Sequence, residues 1–184
     1  MESAFQLFMK NGFHKTSISD IAENAGVAKG TFYLYFKDKY DLRNHLIAHK
    51  ASVLFRSAYR ALSSSGITDF EEQVIYVIDH ILNRFQESPD LLVLIAKHLS
   101  WGIFKISLVH AEMEDSSSVM DTFLSLMEKS EYQYRNPELV MYLIVELVSG
   151  ASYNAILYRE PVSLEELKPS LYRTIRQILA DNRA

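Results

Sequence analysis

Cysteine is absent from the 184 residues. That removes disulfides, thiolate metal sites and a cysteine nucleophile from consideration, and it suits a reducing compartment. Proline occurs four times and glycine six times, so helix breakers are few and collagen-like or linker-rich chains are excluded. No apolar run reaches the roughly 18 residues needed to span a bilayer. The longest, LLVLIA at 91–96 and LVMYLIV at 139–145, read as buried helix, and no secretion signal is visible. A soluble, cytoplasmic protein without membrane contact is the expectation. Sequence patterns for common catalysis are also missing: no HExxH, no GxSxG and no phosphate-binding Gly-Lys loop. His80, His98, His110 and Glu112 offer no shared helix face for a metal, because His110 and Glu112 stand only two residues apart. Neither an enzyme nor a metal or cofactor site is expected.

Net charge is small, 19 basic against 23 acidic side chains, but it is unevenly spread. Residues 1–50 hold seven Lys/Arg and five Asp/Glu, whereas residues 51–184 hold twelve and eighteen. A polyanionic partner would therefore meet the N-terminal end.

That end carries the most informative stretch, TSISDIAENAGVAKGTFYLYFKDK from Thr16 to Lys39. Ser17 precedes the apolar positions Ile18, Ile21, Ala22 and Ala25, with Asp20 three residues on, which predicts a capped helix beginning at Ile18. Gly26 follows the last periodic residue and supplies a left-handed turn. Val27 is expected to return into the core. A second short helix should run from Ala28 to Tyr35, with Phe32 and Phe36 inward on the face of Ala28. Lys29, Thr31, Tyr33 and Tyr35 are left for solvent or a partner. Gly30 would let the helix backbone come close to that partner, Thr31 and Tyr33 offer hydroxyls to phosphate, and Lys29 reaches a phosphate or a base edge. This is helix-turn-helix chemistry, suited to binding. A helical corner with exposed tyrosines and no ligand would show the same spacing.

AGVAKGTFYLYFKDKYDL, preceded by TSISDIA and by ESAFQLFMKNGF, resembles the N-terminal domain of the TetR family of bacterial transcriptional regulators. The resemblance covers about the first quarter of the chain. It implies that Lys29, Gly30, Thr31, Tyr33 and Tyr35 face double-stranded DNA from the recognition helix. It further implies that Lys39 holds a phosphate, and that Ser17 and Ser19 touch the backbone. Two departures are visible: Ser19 stands where many members carry a basic residue, and Met1 already falls inside the first helix, so an N-terminal arm is expected to be missing or trimmed.

The fold expected is all-α: a three-helix helix-turn-helix DNA-binding domain at 1–47 and a helical effector-binding and dimerisation domain at 48–184. A fourth helix should run from Asp38 to Leu62, with Leu42, Leu46, Ala48, Val53, Leu54 and Ala61 buried. Thr68 and Glu71 predict a capping box for a fifth helix whose stripe is Phe70, Val74, Val77, Ile78, Ile81 and Phe85. Ser88-Pro89-Asp90 opens a sixth, which Gly102 bends or breaks. EMEDSSS at 112–118 is a loop or helix start, and Val119 to Lys129 is a seventh helix. Asn136-Pro137-Glu138 opens an eighth that Pro161 stops. Ser163 and Glu166 cap a ninth that ends near Ala180.

The eighth helix is apolar on more than one face, and Gly150, Ala151 and Ala155 permit close approach of another helix. The ninth adds Leu164, Leu167, Leu171, Ile175, Ile178 and Leu179. Resemblance implies a homodimer in which these two helices from each subunit form a four-helix bundle; closing the monomer's own core is the other use for them. A twofold operator with half-sites about 34 Å apart calls for two copies. Resemblance also implies a small-molecule effector between the fifth to eighth helices, and apolar, aromatic-rich helices lean towards a hydrophobic or amphipathic one. Candidate lining residues are Tyr76, His80, Phe85, His98, Trp101, Phe104, Phe123, Tyr142, Glu146 and Asn154. Glu146 interrupts LIVELV, so it either meets a cationic ligand group or finds a partner or an exposed edge. The alternative is an interaction protein that keeps this fold but is switched by a protein partner, or has weak DNA specificity.

Overall fold

A computed structural model describes residues 1–98 and 119–184, and within it the side chains at 97, 98, 119 and 120 are not described. Gly102, His110, Glu112 and the 112–118 stretch lie outside the described residues, as do three of the effector candidates, the side chain of His98 and the whole of Trp101 and Phe104.

The described residues form nine helices: α1 Glu2–Asn11, α2 Ile18–Asn24, α3 Lys29–Tyr35, α4 Lys39–Ser63, α5 Phe70–Glu87, α6 Pro89–His98, α7 Val119–Glu128, α8 Pro137–Leu157 and α9 Leu164–Asp181. Among them there is no strand, only a single bridge between Tyr134 and Arg183. Capping sets most of the boundaries. Ser17 and Asp20 form a reciprocal capping box on α2, with hydrogen bonds of 2.8 and 3.1 Å. Ser163 and Glu166 do the same for α9, and the Asn136 side chain accepts from the Leu139 N–H ahead of Pro137. The cap of α5 is Asp69, which accepts from the Glu72 N–H at 2.9 Å, and not the Thr68–Glu71 box. Starting the helix at Phe70 puts that ring in the core.

Three apolar clusters result. The first joins Ala4, Phe8, Ile21, Phe32, Leu42, Leu46 and Ile47 with Leu94, so one residue of α6 reaches into the core of the N-terminal helices. The second packs α4 (Ala51, Leu54, Ala58) on α5 and on Leu92 and Ile95 of α6. The third binds α5, α7, α8 and α9. α4 therefore runs through two of the clusters as the common strut.

Two of the residues expected inside are outside: Val27 and Val53 are 43% and 44% exposed. Val27 holds the turn through its backbone, donating to the Ala22 carbonyl at 2.9 Å, while its side chain points away. On α4, Ile47, Ala51 and Ala58 occupy the buried face, which rotates Val53 outward. α9 spends Leu164, Leu171, Ile175 and Leu179 on its own subunit's core. Its outward positions, among them Ser170, Arg173, Thr174 and Gln177, are polar. α8 is the one helix, among the described residues, long and apolar enough to cross a membrane, yet only a third of that window is buried. One of its two apolar faces is covered within the chain and the other, with Leu139, Tyr142 and Leu143, is exposed.

Candidate DNA interface and effector cavity

The helix-turn-helix is held by contacts that leave its outer face unoccupied. Thr16, 1% exposed, donates to the Gly12 carbonyl at 2.9 Å and to the Leu7 carbonyl at 3.2 Å, pinning the end of α1 to the start of α2. Gly26 adopts φ 68° between α2 and α3. Phe32 is buried and stacks at a tilt on Phe36, with ring centroids 5.5 Å apart. That burial fixes the rotation of α3, so its other residues face out. Tyr33 is 52%, Leu34 80% and Tyr35 73% exposed. Lys29 and Gly30 are exposed, Thr31 half-buried, and a Cβ built on Gly30 would meet nothing within 4 Å.

Leu34 was not among the residues singled out from sequence. Its signal was the helical wheel: Leu34 stands two residues from Phe32, about 200° round the helix from the buried ring. An exposed leucine on a helix that enters a groove offers an apolar surface to thymine methyl groups.

Lys39, for which resemblance implies a phosphate contact, is engaged within the fold. Its ammonium donates to the carbonyls of Phe13 at 2.8 Å and Thr16 at 2.7 Å, with a longer contact to His14 at 3.4 Å. It also lies 4.6 Å from the Phe13 ring centroid. Arg43 approaches the same ring, 4.9 Å away, and Tyr40 packs edge-on against it at 5.0 Å. With its donors already spent on carbonyls, Lys39 clamps the α1–α2 loop to α4. Ser17 is likewise engaged as a cap, while Ser19 is exposed beside it. The Ser17 backbone N–H and hydroxyl hold the Asp20 carboxyl below its ordinary range.

Behind this domain lies an apolar cavity of about 90 Å³ between α4 and α8. Leu54, Phe55 and Tyr59 of α4, Ile81 and Phe85 of α5, Ile95 of α6, Phe123 of α7 and Val148 of α8 line it, with Gln73 and Ser149 as the polar neighbours. Of the effector candidates, Phe85 and Phe123 are brought to this cavity. The others that the structure describes are not. Tyr76 packs beside the second cluster, and His80 shares a 3.1 Å hydrogen bond with Ser57 across α4 and α5. Tyr142 lies on a shallow outer groove with Asn136, Glu138 and Leu139. Glu146 and Asn154 are exposed. Glu146 thus sits at the exposed edge and meets no cavity: Ile144, Val145 and Val148 face the cavity, which turns position 146 away from it.

The exposed side of α8 is itself a stripe. Leu139, Tyr142, Leu143, Glu146, Gly150 and Asn154 recur at intervals of three and four residues and are all exposed. At Gly150 a Cβ would meet nothing within 4 Å, so the surface there is open.

Comparison with known proteins agrees with this geometry. Residues 1–46 match the family model described as bacterial regulatory proteins, tetR family. The fatty acid metabolism regulator protein of Bacillus subtilis (strain 168) is 44% identical over 50 residues, which are 27% of this chain and 26% of the relative. The chain thus spans about a quarter of that relative's length in the alignment. Likeness of fold extends further. A TetR-family regulator from Shewanella sp. PV-4 superposes with a TM-score of 0.71 at 19% identity, covering 100% of this chain and 95% of the other. FadR from Bacillus subtilis, solved in complex with stearoyl-CoA, gives 0.64 at 19% identity over 95% and 94% of the two chains. The first three helices thus match the tetR family of bacterial regulatory proteins in sequence, and the backbone of the described residues has the fold of solved TetR-family regulators.

Proposed function

We propose that the protein is a dimeric transcriptional regulator, a repressor that a small apolar or amphipathic molecule releases from a palindromic operator. The observation that carries this reading is the outer face of α3, where Tyr33, Leu34 and Tyr35 stand exposed on a helix whose rotation is fixed by buried Phe32. Exposed large apolar and aromatic side chains beside an exposed lysine are costly to keep without a partner. A major groove accommodates one helix of this size and presents methyl groups, base edges and phosphates to such side chains. Lys29, Gly30, Thr31, Tyr33 and Tyr35 face the groove in this reading, with Leu34 added. Ser17 and Ser19 lie at the phosphate backbone, and Lys39 supports them from behind.

Two copies are required to read two half-sites about one helical turn apart. The α8 stripe supports a twofold contact, with α9 beside it presenting its polar outer positions. Its place of work, in this reading, is the cytoplasm, where the DNA is. The bacterial FadR solved with stearoyl-CoA supports a lipid-like effector in the cavity behind α4.

Transmission follows from packing. Ile95 lines the cavity, while Leu94, the adjacent residue, is buried among Phe8, Ile21 and Phe32. A ligand that moves Ile95 must move Leu94, and α4 carries cavity residues and helix-turn-helix core residues on one rod. Since interiors are close-packed, such a shift is passed on as displacement and not absorbed. The ligand must prefer the displaced state by a few kcal/mol to empty the operator.

Selection of bound sequences from a random duplex pool tests the reading. The expected result is an inverted repeat with half-site centres separated by about 10 base pairs or a multiple. Enrichment of no sequence would refute it.

A further inference from the structure

α9 carries three cations, Lys168, Arg173 and Arg176. Two of them are held within the chain by carboxylates of α5: Lys168 pairs with Asp79 at 2.7 Å and Arg176 with Glu72 at 2.8 Å. Arg173 is exposed and has no ion pair or hydrogen bond among the described residues. α8 carries two anions, Glu138 and Glu146. Glu138 is engaged, whereas Glu146 is exposed and, among the described residues, unpaired.

These two charges stand at one height. α8 and α9 run antiparallel, joined by the turn at 158–163 and held at the other end, where the Arg135 N–H donates to the Asn182 carbonyl at 3.0 Å. Position 146 lies at the middle of Pro137–Leu157, and position 173 at the middle of Leu164–Asp181. Each faces away from the core. Glu146 is about 200° round the helix from buried Ile144, and Arg173 about 200° from buried Leu171. Around Glu146 the outer face of α8 is apolar, with Leu139, Tyr142 and Leu143 exposed. A second apolar surface laid on that face would take the carboxylate out of water with its neighbours, and a charge so covered needs a counter-charge.

We propose that Glu146 and Arg173 form a reciprocal ion pair between two copies of this chain, made twice about the twofold axis, and that this pair sets which chain can be the partner. In a twofold contact residue i meets j and j meets i, and an axis through the middle of the α8–α9 hairpin keeps its mid-level positions at one height. With the axis along the hairpin, α8 lies on α9 of the other copy and each carboxylate meets a guanidinium. With the axis across it, α8 lies on its own counterpart and two carboxylates are pressed together. Charge complementarity favours the first arrangement and like-charge repulsion disfavours the second. A chain of the same fold lacking either charge leaves the other covered and unpaired, which selects against mixed dimers. The proposal rests on the outer face of α8 being the dimer contact, and it adds what that contact recognises.

Sedimentation equilibrium on the full chain gives the dimer dissociation constant of the parent, Glu146→Ala, Arg173→Ala and the double variant. The expected result is that each single substitution weakens the dimer about tenfold and the double variant no further, as for two groups that act on each other. No weakening, a tighter dimer in Glu146→Ala, or losses that multiply in the double variant overturns the proposal. Both side chains lie off the cavity wall, so ligand dose-response measured above all these dissociation constants should be unchanged.

Charge reversal checks partner choice. Glu146→Arg and Arg173→Glu should each weaken the homodimer about 100-fold, and their equimolar mixture should form a heterodimer within about tenfold of the parent, because both pairs are then opposite in sign. A mixture no tighter than either variant alone overturns the proposal. Leu143→Glu separates the pairing from the contact on which it rests. A dimer that survives Leu143→Glu refutes both, whereas a dimer that Leu143→Glu breaks and the charge substitutions spare refutes the pairing alone.

Discussion

Replacing Lys39 by methionine separates two roles that one lysine could have. Methionine keeps most of the apolar stem but removes the ammonium that bonds the carbonyls of Phe13 and Thr16 at 2.8 and 2.7 Å. A hydrogen bond to a charged group contributes about 1.5–3 kcal/mol. These carbonyls are only partly buried and regain water, so the pair together should cost about 2 kcal/mol. For a chain of this length each kcal/mol moves the melting temperature by roughly 2–4 °C, which predicts a fall of about 4–8 °C followed by circular dichroism. DNA affinity should drop as the α1–α2 loop loosens. Its salt dependence should not change, because a lysine that holds no phosphate releases no counterion. An unchanged melting temperature with a salt slope reduced by about one would refute the clamp and return Lys39 to the DNA backbone.

Tyr33→Ala should abolish preference for the operator while shifting stability by no more than about 0.5 kcal/mol, as for an exposed residue; retained preference in a binding titration would misplace the recognition face. Leu143→Glu places two like charges across a twofold α8 contact and should raise the dimer dissociation constant at least 100-fold by sedimentation; an intact dimer would move the interface elsewhere. Glu146→Gln should leave ligand dose-response unaltered, given the exposure of Glu146, and a shifted curve would restore it to the effector site. At Asp79, burial raises the carboxyl's pKa, but hydrogen bonds from Lys168, Tyr172 and Asn83 outweigh it and hold the group below its ordinary value. A depressed carboxylate stabilises above its unfolded pKa, and that contribution is lost as pH falls through the lower folded value. Because the group is 40% exposed, the effect is at most about 1 kcal/mol. Asp79→Asn should therefore lose less melting temperature between pH 7 and pH 3 than the parent chain, and equal losses would refute the assignment.

Local signals were legible in the sequence wherever the cause was local. The capping boxes at Ser17 and Ser163 and the Asn136-Pro137 start reach only three residues along the chain, and each forms as read. The α5 stripe from Phe70 to Phe85 is buried throughout because a 3.6-residue period meets one core face. The cap of α5 was less determinate: Thr68 and Asp69 are adjacent and both competent, and only the burial of Phe70 chooses between them.

Contacts across the fold were hidden for a different reason. Lys39 reaches carbonyls 23 to 26 residues away, and no sequence spacing encodes that. Glu146 in an apolar run suggested burial, but α8 is apolar on two faces, and periodicity cannot tell which is covered. Polar and aromatic residues do not mark the cavity. Its wall is mostly valine, isoleucine and leucine, the same residues that fill a core, so composition gave no sign of it.

The central claim is that the face of α3 reads a specific DNA sequence. Fluorescence anisotropy of the purified protein with duplex DNA flanking its own gene, against a scrambled duplex over a range of salt, tests this most directly. The account predicts saturable binding that favours the flanking DNA by about 1,000-fold or more, as specific readers do, and loses that preference in Tyr33→Ala. Equal, salt-sensitive binding to both duplexes by the parent chain would contradict it.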